Sequence, residues 1–211
     1  MIYLESQGGN IVRRHVSTRE AKQIKPFPKE GEEKYRFNWN TPIAFSPTNP
    51  KRMYAGSQYL LRSTDQGDSW ETISPDLTTD DPEKQKQHLS GGITIDNTTA
   101  ENHCTIYAIS ESPQDQTVIW AGTDDGNLQV TADDGKTWTD ITANIPNLPP
   151  VTWCTSVKAS AHDRNTAYAT FDGHRNNDMT PYVYKTTDLG KTWQALATDA
   201  VEGYALDICE D

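Results

Sequence analysis

Carboxylates beside hydroxyl, imidazole and guanidinium groups mark the places where this 211-residue chain could do chemistry. Three eight-residue stretches each set an Asp next to Ser or Thr: Ser63 to Trp70, Thr131 to Trp138 and Thr186 to Trp193. A repeated carboxylate beside a hydroxyl suggests acid or base work. A second group is Asp124-Asp125, in the turn-like run Asp124-Asp125-Gly126-Asn127. A third is Asp172, His174, Arg175 and Asp178, which share one long loop where three complementary polar groups could hold a polar ligand. Glycoside hydrolysis needs two carboxyl groups facing one cleft, about 5–9.5 Å apart. With 30 acidic residues, spacing alone selects no such pair. There is no Cys-x-x-Cys and no His pair at ligand spacing, so neither metal nor cofactor is expected.

The elements that must position these groups follow from the octapeptides. Their common form is [S/T]-x-D-x-G-x-[S/T]-W, with five of eight positions matched in every copy. A β-prone run precedes each copy (Tyr59-Leu60-Leu61, Leu128-Gln129-Val130, Tyr182-Val183-Tyr184), and Ile73, Ile141 or Leu196 follows. That is strand, tight turn, strand, three times. Upstream of each lie two more short strands joined by a turn, as in Arg52-Met53-Tyr54-Ala55-Gly56 after Ser46-Pro47. Four-stranded units repeating every ~45–55 residues predict β-propeller blades. The spacings of the box aspartates, 68 and 55 residues, differ mainly because a polar insertion with a possible short helix follows the first box.

The expected organisation is a partial blade and connector over 1–35, then blades over 36–102, 103–150 and 151–200, with the start of a truncated blade at 201–211. About three complete blades with partial ones at both ends imply a piece of a larger propeller. Its open edges call for the remaining blades or for self-association.

The net charge of −11 argues against nucleic acid and anionic membrane surfaces as partners. No run approaches the ~20 apolar residues of a membrane-spanning helix. Low hydrophobic content (34%) suits many short strands with polar loops, and six Trp and nine Tyr supply the core. Buried free thiols are the expectation for Cys104 and Cys154, with a bridge between them left open.

The octapeptides resemble the Asp-box, or BNR repeat, of sialidases, sortilin-type Vps10 domains and xyloglucanase-like propellers. The wider chain resembles large bacterial Vps10-like BNR-repeat proteins labelled glycosyl hydrolases, through Arg36 to Pro42, Arg62 to Trp70, Ala121 to Asn127 and Phe171 to Arg175. The resemblance implies a structural role for Asp65, Asp133 and Asp188, for Gly67, Gly135 and Gly190, and for Trp70, Trp138 and Trp193. It implies a secreted or periplasmic parent protein, and glycoside hydrolase activity by likeness alone. Scattered arginines and the lack of an Arg-Ile-Pro stretch depart from the sialidase pattern.

With the boxes assigned to the scaffold, the ligand-binding candidates are Trp39, Asn40, Asp124, Asp125, Trp153, Asp172, His174 and Arg175. Trp39 and Trp153 open the innermost strands of their units, where aromatic rings suit sugars or peptides. Packing between blades and solvated turns are the plainer readings of the same residues. The leading expectation is an all-β propeller segment that binds a glycan or peptide without catalysis. The alternative is part of a secreted xyloglucanase-like hydrolase whose other catalytic parts lie outside the chain.

Overall fold

The computed structural model describes residues 1–86, 89, 102–198 and 200–211. Half of the expected insertion over 75–102 falls outside them. The described chain folds into four antiparallel sheets, each running in chain order. The first has three strands: β1 (Ile2–Ser6), β2 (Asn10–Arg14) and β3 (Ala21–Gln23). The second has four: β4 (Ile43–Phe45), β5 (Met53–Gly56), β6 (Leu60–Ser63) and β7 (Glu71–Thr72). The third comprises β8 (Ile106–Glu111), β9 (Ile119–Thr123), β10 (Leu128–Thr131) and β11 (Thr139–Asp140). The fourth comprises β12 (Trp153–Ala159), β13 (Ala167–Asp172), β14 (Tyr182–Thr186) and β15 (Gln194–Ala195). Every sequence-predicted strand of units two to four overlaps one of these.

Each octapeptide makes the turn between the last two strands of its sheet. In the first copy, Asp65 accepts hydrogen bonds from Ser63 Oγ (2.8 Å), Ser69 N (2.8 Å) and Ser69 Oγ (2.6 Å). Ser63 Oγ in turn accepts Gly67 N at 2.7 Å. Asp133 and Asp188 repeat the pattern with Thr131 and Thr137, and with Thr186 and Thr192. Bonds from Thr137 and Ser69 hold the carboxyls of Asp133 and Asp65 down at about 2, which is the mark of a satisfied turn acceptor rather than a proton donor. The residue before each glycine also takes a left-handed backbone: Gln66, Asp134 and Leu189 have φ of 65°, 63° and 59°.

The octapeptides also join one sheet to the next. The Trp70 indole donates to Ile24 O (2.8 Å) and that of Trp138 to Ile73 O (3.0 Å), each in the preceding sheet. The Trp193 nitrogen is buried without a partner, and its ring packs edge-on against Trp120 at 6.2 Å. The glycines lie flat on the same isoleucines. A Cβ at Gly67 or Gly190 would meet the Cδ1 of Ile24 or Ile141, and one at Gly135 would meet Ile73 O at 2.6 Å.

Three apolar clusters fill the spaces between successive sheets. Ile11 and Ile24 pack with Met53 and Leu61; Tyr54, Leu60 and Ile73 pack with Ile106 and Ile119; Trp120, Leu128 and Ile141 pack with Cys154, Ala167 and Phe171. A polar clamp recurs at these faces. Tyr54 on β5 donates to Glu111 Oε2 (2.5 Å) and Ser46 Oγ to Glu111 Oε1 (2.6 Å). In the fourth sheet Tyr168 and Ser160 make the same two bonds to Glu210, both at 2.9 Å. In the third sheet Trp120 stands where the tyrosines do, opposite Ser110 as Tyr54 is opposite Ala44. Ala159 takes the place of the glutamate there, and the Trp120 nitrogen is left unbonded. Cys104 and Cys154 are buried free thiols, as expected. The tail, expected to be a strand, pairs with none, yet it is anchored to the fourth sheet through Asp207 and Glu210.

Candidate functional site

Three of the third group of candidate residues, Asp172, His174 and Arg175, cluster where β12 begins and β13 ends. Antiparallel register sets Trp153 directly opposite Asp172. The chain then passes Gly173 into a single 3-10 turn, His174–Asn176, which Asn177 closes in the left-handed conformation (φ 62°). The turn folds two side chains back onto the buried Asp172 carboxylate. Asp172 Oδ1 accepts His174 N at 2.9 Å; Oδ2 meets His174 Nδ1 and, at 3.4 Å, Arg175 Nη1. A carboxylate against Nδ1 fixes the proton there and leaves Nε2 as the outward nitrogen. Asp178 belongs to the loop but not to the cluster. It accepts Tyr182 OH (2.7 Å) and Thr180 N (3.0 Å), and the Tyr182 bond chiefly keeps its carboxyl below the usual range.

Aromatic rings orient both side chains. The Arg175 guanidinium lies 4.0 Å over the Trp153 ring, whose edges meet Tyr107 (5.4 Å) and His103 (5.9 Å). Such a stack contributes about 0.5–2 kcal/mol, depending on how dry it is. The His174 ring stacks on Tyr204 at 4.6 Å and 20°. The side chains of His174 and Arg175 remain 33% and 40% exposed over a fully buried carboxylate. The result is a solvent-reachable guanidinium donor beside a solvent-reachable imidazole, both with restricted freedom, set in an acidic protein. Tyr107 also lines a cavity of about 360 Å³ over the innermost strands, with Ile43, Thr155, Lys158 and Asp207. Trp153 is only 7% exposed, so its ring is a bed for Arg175 rather than an open platform.

Asp124 and Asp125 lie elsewhere, and both are buried. Asp124 accepts Thr105 N (2.9 Å), Thr105 Oγ1 (2.6 Å) and Asn38 Nδ2 (2.8 Å), tying the entry of β8 to the segment before β4. Burial outweighs these bonds and pushes its carboxyl up to about 7. Asp125 accepts Thr79 N and Oγ1, both at 2.7 Å, and Thr123 Oγ1 at 2.5 Å. In the second sheet Gln58 occupies the place of Asp124 and holds Lys34 O and Arg36 N. Their geometry is that of chain fasteners. Trp39 and Asn40 are exposed, and Asn40 N donates to Asn38 Oδ1.

A cavity of about 740 Å³ holds none of the candidates. It lies between the β1–β2 turn and the connector, beside Lys25, Phe27, Tyr35 and Phe37. Sequence reasoning missed Tyr107 and Tyr204 in the site and Asn38 among the fasteners. Only Tyr107, one residue into β8, had a periodicity that could have flagged it.

No family model matches the chain, and no curated protein does. Solved structures match its fold. An ancestral GH74 enzyme aligns over 93% of this chain with a TM-score of 0.53 and 20% identity. The extracellular domain of a putative hybrid two-component system from B. thetaiotaomicron aligns over 95% with a TM-score of 0.50 and 13% identity. The chain spans about a fifth of the length of each, 22% and 21%. At such identities the likeness is one of fold. Among the described residues no helix is long and apolar enough to cross a membrane. Sheet order and these likenesses agree: the chain is an all-β segment of antiparallel propeller blades.

Proposed function

We propose that this chain is a non-catalytic binding segment of a BNR-repeat propeller protein, and that it engages a glycan or peptide at the Asp172–His174–Arg175 cluster. The observation that carries this reading is the contrast among the candidates. The box aspartates are committed to their turns, and Asp124 and Asp125 are sealed under the chain, whereas His174 and Arg175 are held from behind and open in front. A buried carboxylate that orients an imidazole and a guanidinium supplies guanidinium donors for ligand oxygens and an imidazole acceptor for ligand hydroxyl or amide groups. A secreted or periplasmic parent protein, as the Asp-box resemblance implies, suits such a ligand.

The test is a glycan and peptide screen with the 211-residue chain, repeated with Arg175→Ala, beside a xyloglucan hydrolysis assay. Binding that Arg175→Ala abolishes without lowering the melting temperature supports the reading. Binding indifferent to that change, or hydrolysis by the chain itself, overturns it. The second reading, a segment of a larger xyloglucanase-like hydrolase, draws on the fold shared with the GH74 enzyme and calls for hydrolysis once the rest of that enzyme is supplied.

A further inference from the structure

The innermost strands β8 and β12 carry the same irregularity. The pairing of β12 with β13 steps from Cys154 opposite Phe171 to Ser156 opposite Thr170. That of β8 with β9 steps from Ile106 opposite Thr123 to Ala108 opposite Gly122. Thr155 and Tyr107 are therefore the extra residues of two β-bulges, at equivalent places on neighbouring strands. A bulge shifts the alternation of faces by one residue. Trp153 and Lys158 are five residues apart, which on a regular strand sets side chains on opposite faces. Their partners Asp172 and Tyr168 are four apart, so the bulge brings the two to one face, about 13 Å from each other along the strand. Tyr107, Thr155 and Lys158 line the cavity of about 360 Å³ over the innermost strands, and Tyr107 connects it to the Trp153 ring that carries Arg175.

Both ends of this track are cations with donors to spare, because each lies beside a carboxylate that is closer to another partner. Asp172 Oδ2 meets His174 Nδ1 more closely than Arg175 Nη1, which is 3.4 Å away. Asp207 accepts Ser156 Oγ at 2.5 Å, while Lys158 Nζ stands at 3.6 Å. The Arg175 and Lys158 side chains are 40% and 49% exposed. Between them the Tyr107 hydroxyl bonds to none of the described residues, and the hydroxyls of Thr155 and Ser156 follow along β12. Such a lining suits the hydroxyls of sugar rings better than a peptide, whose alternate side chains need pockets of their own.

We propose that the ligand of this site is an acidic glycan that lies along β12 from Arg175 to Lys158, across Tyr107, with an anionic group on each cation. The inference rests on the reading of the Asp172–His174–Arg175 cluster as a binding site. The bulges make Tyr107 and Lys158 specificity-determining residues of that site.

The test is isothermal titration of the chain with an oligogalacturonate and with its methyl ester, the neutral control. The acid should bind at least about tenfold more tightly than the ester. Lys158→Gln should weaken the acid about two- to fivefold and reduce its salt dependence. Tyr107→Phe keeps the ring against Trp153 and should weaken it about two- to tenfold, with the melting temperature unchanged. No binding of the acid, or equal affinity for acid and ester, overturns the inference. So does a glutamate-rich peptide that displaces the acid, or the absence of any loss in both variants while Arg175→Ala still abolishes binding; the cluster's binding role then stands. Acid binding that Arg175→Ala does not weaken overturns both.

Discussion

Replacing Gly135 by Ala should destabilise the chain clearly more than the same change at Gly67 or Gly190. All three glycines have positive φ (87°, 91° and 80°), so each alanine meets the left-handed penalty of about 1–2 kcal/mol. The neighbours then separate them. At Gly67 and Gly190 the new Cβ meets the Cδ1 of an isoleucine, the movable end of a side chain. At Gly135 it meets Ile73 O, a backbone atom fixed by its own sheet and the acceptor of the Trp138 indole bond. Backbone must move by roughly half an ångström or more, and that bond, worth about 1 kcal/mol, stretches. The expected totals are about 1–2 kcal/mol at Gly67 and Gly190 and about 3 kcal/mol or more at Gly135. For a chain of this size they become melting shifts of about 2–8 °C and about 6–12 °C or more. Thermal unfolding followed by tryptophan fluorescence at neutral pH reads them. Three equal shifts would refute the reasoning that these turns act by docking on the preceding sheet.

Tyr54→Phe removes the hydroxyl at Glu111 and should cost about 1–3 kcal/mol in urea unfolding, because the glutamate loses a buried donor; no change would mean that the clamp between sheets is not stabilising. Asp124 gives a pH dependence whose sign is set. Its folded pKa is raised to about 7, so its contribution is full below the unfolded value near 4 and is lost as pH rises through 7, by up to about 4 kcal/mol. Asp124→Asn should flatten the fall in urea midpoint between pH 4 and pH 8, and an unaltered slope would assign that fall to other groups.

The scaffold was legible in the sequence because its information is local. Each octapeptide contains both the carboxylate and the hydroxyls that it bonds, within four residues. Turn and flanking strands could be read from one short window. The site was half legible for the opposite reason. Asp172, His174 and Arg175 share one loop, so their grouping was visible. That Trp153 lies beneath Arg175, and that Tyr204 comes from the tail to stack on His174, depends on residues 22 and 30 positions away. Asp124 looked like an exposed turn acid because its neighbours in sequence are Asp125 and Gly126. Its burial comes from Asn38 in another sheet's approach, 86 residues earlier. The tail was read as a strand from its pattern, and it keeps the contacts of one without a partner.

In the proposed function, ligand arrives at Arg175 and His174. The most direct test follows the six tryptophan indole signals by ¹H–¹⁵N NMR while a ligand from the binding screen is added. The Trp153 signal should move in proportion to occupancy, because its ring carries the Arg175 guanidinium, while Trp70 and Trp138, bonded to Ile24 and Ile73, stay in place. A ligand that shifts Trp70 or Trp138 and leaves Trp153 unmoved would contradict it.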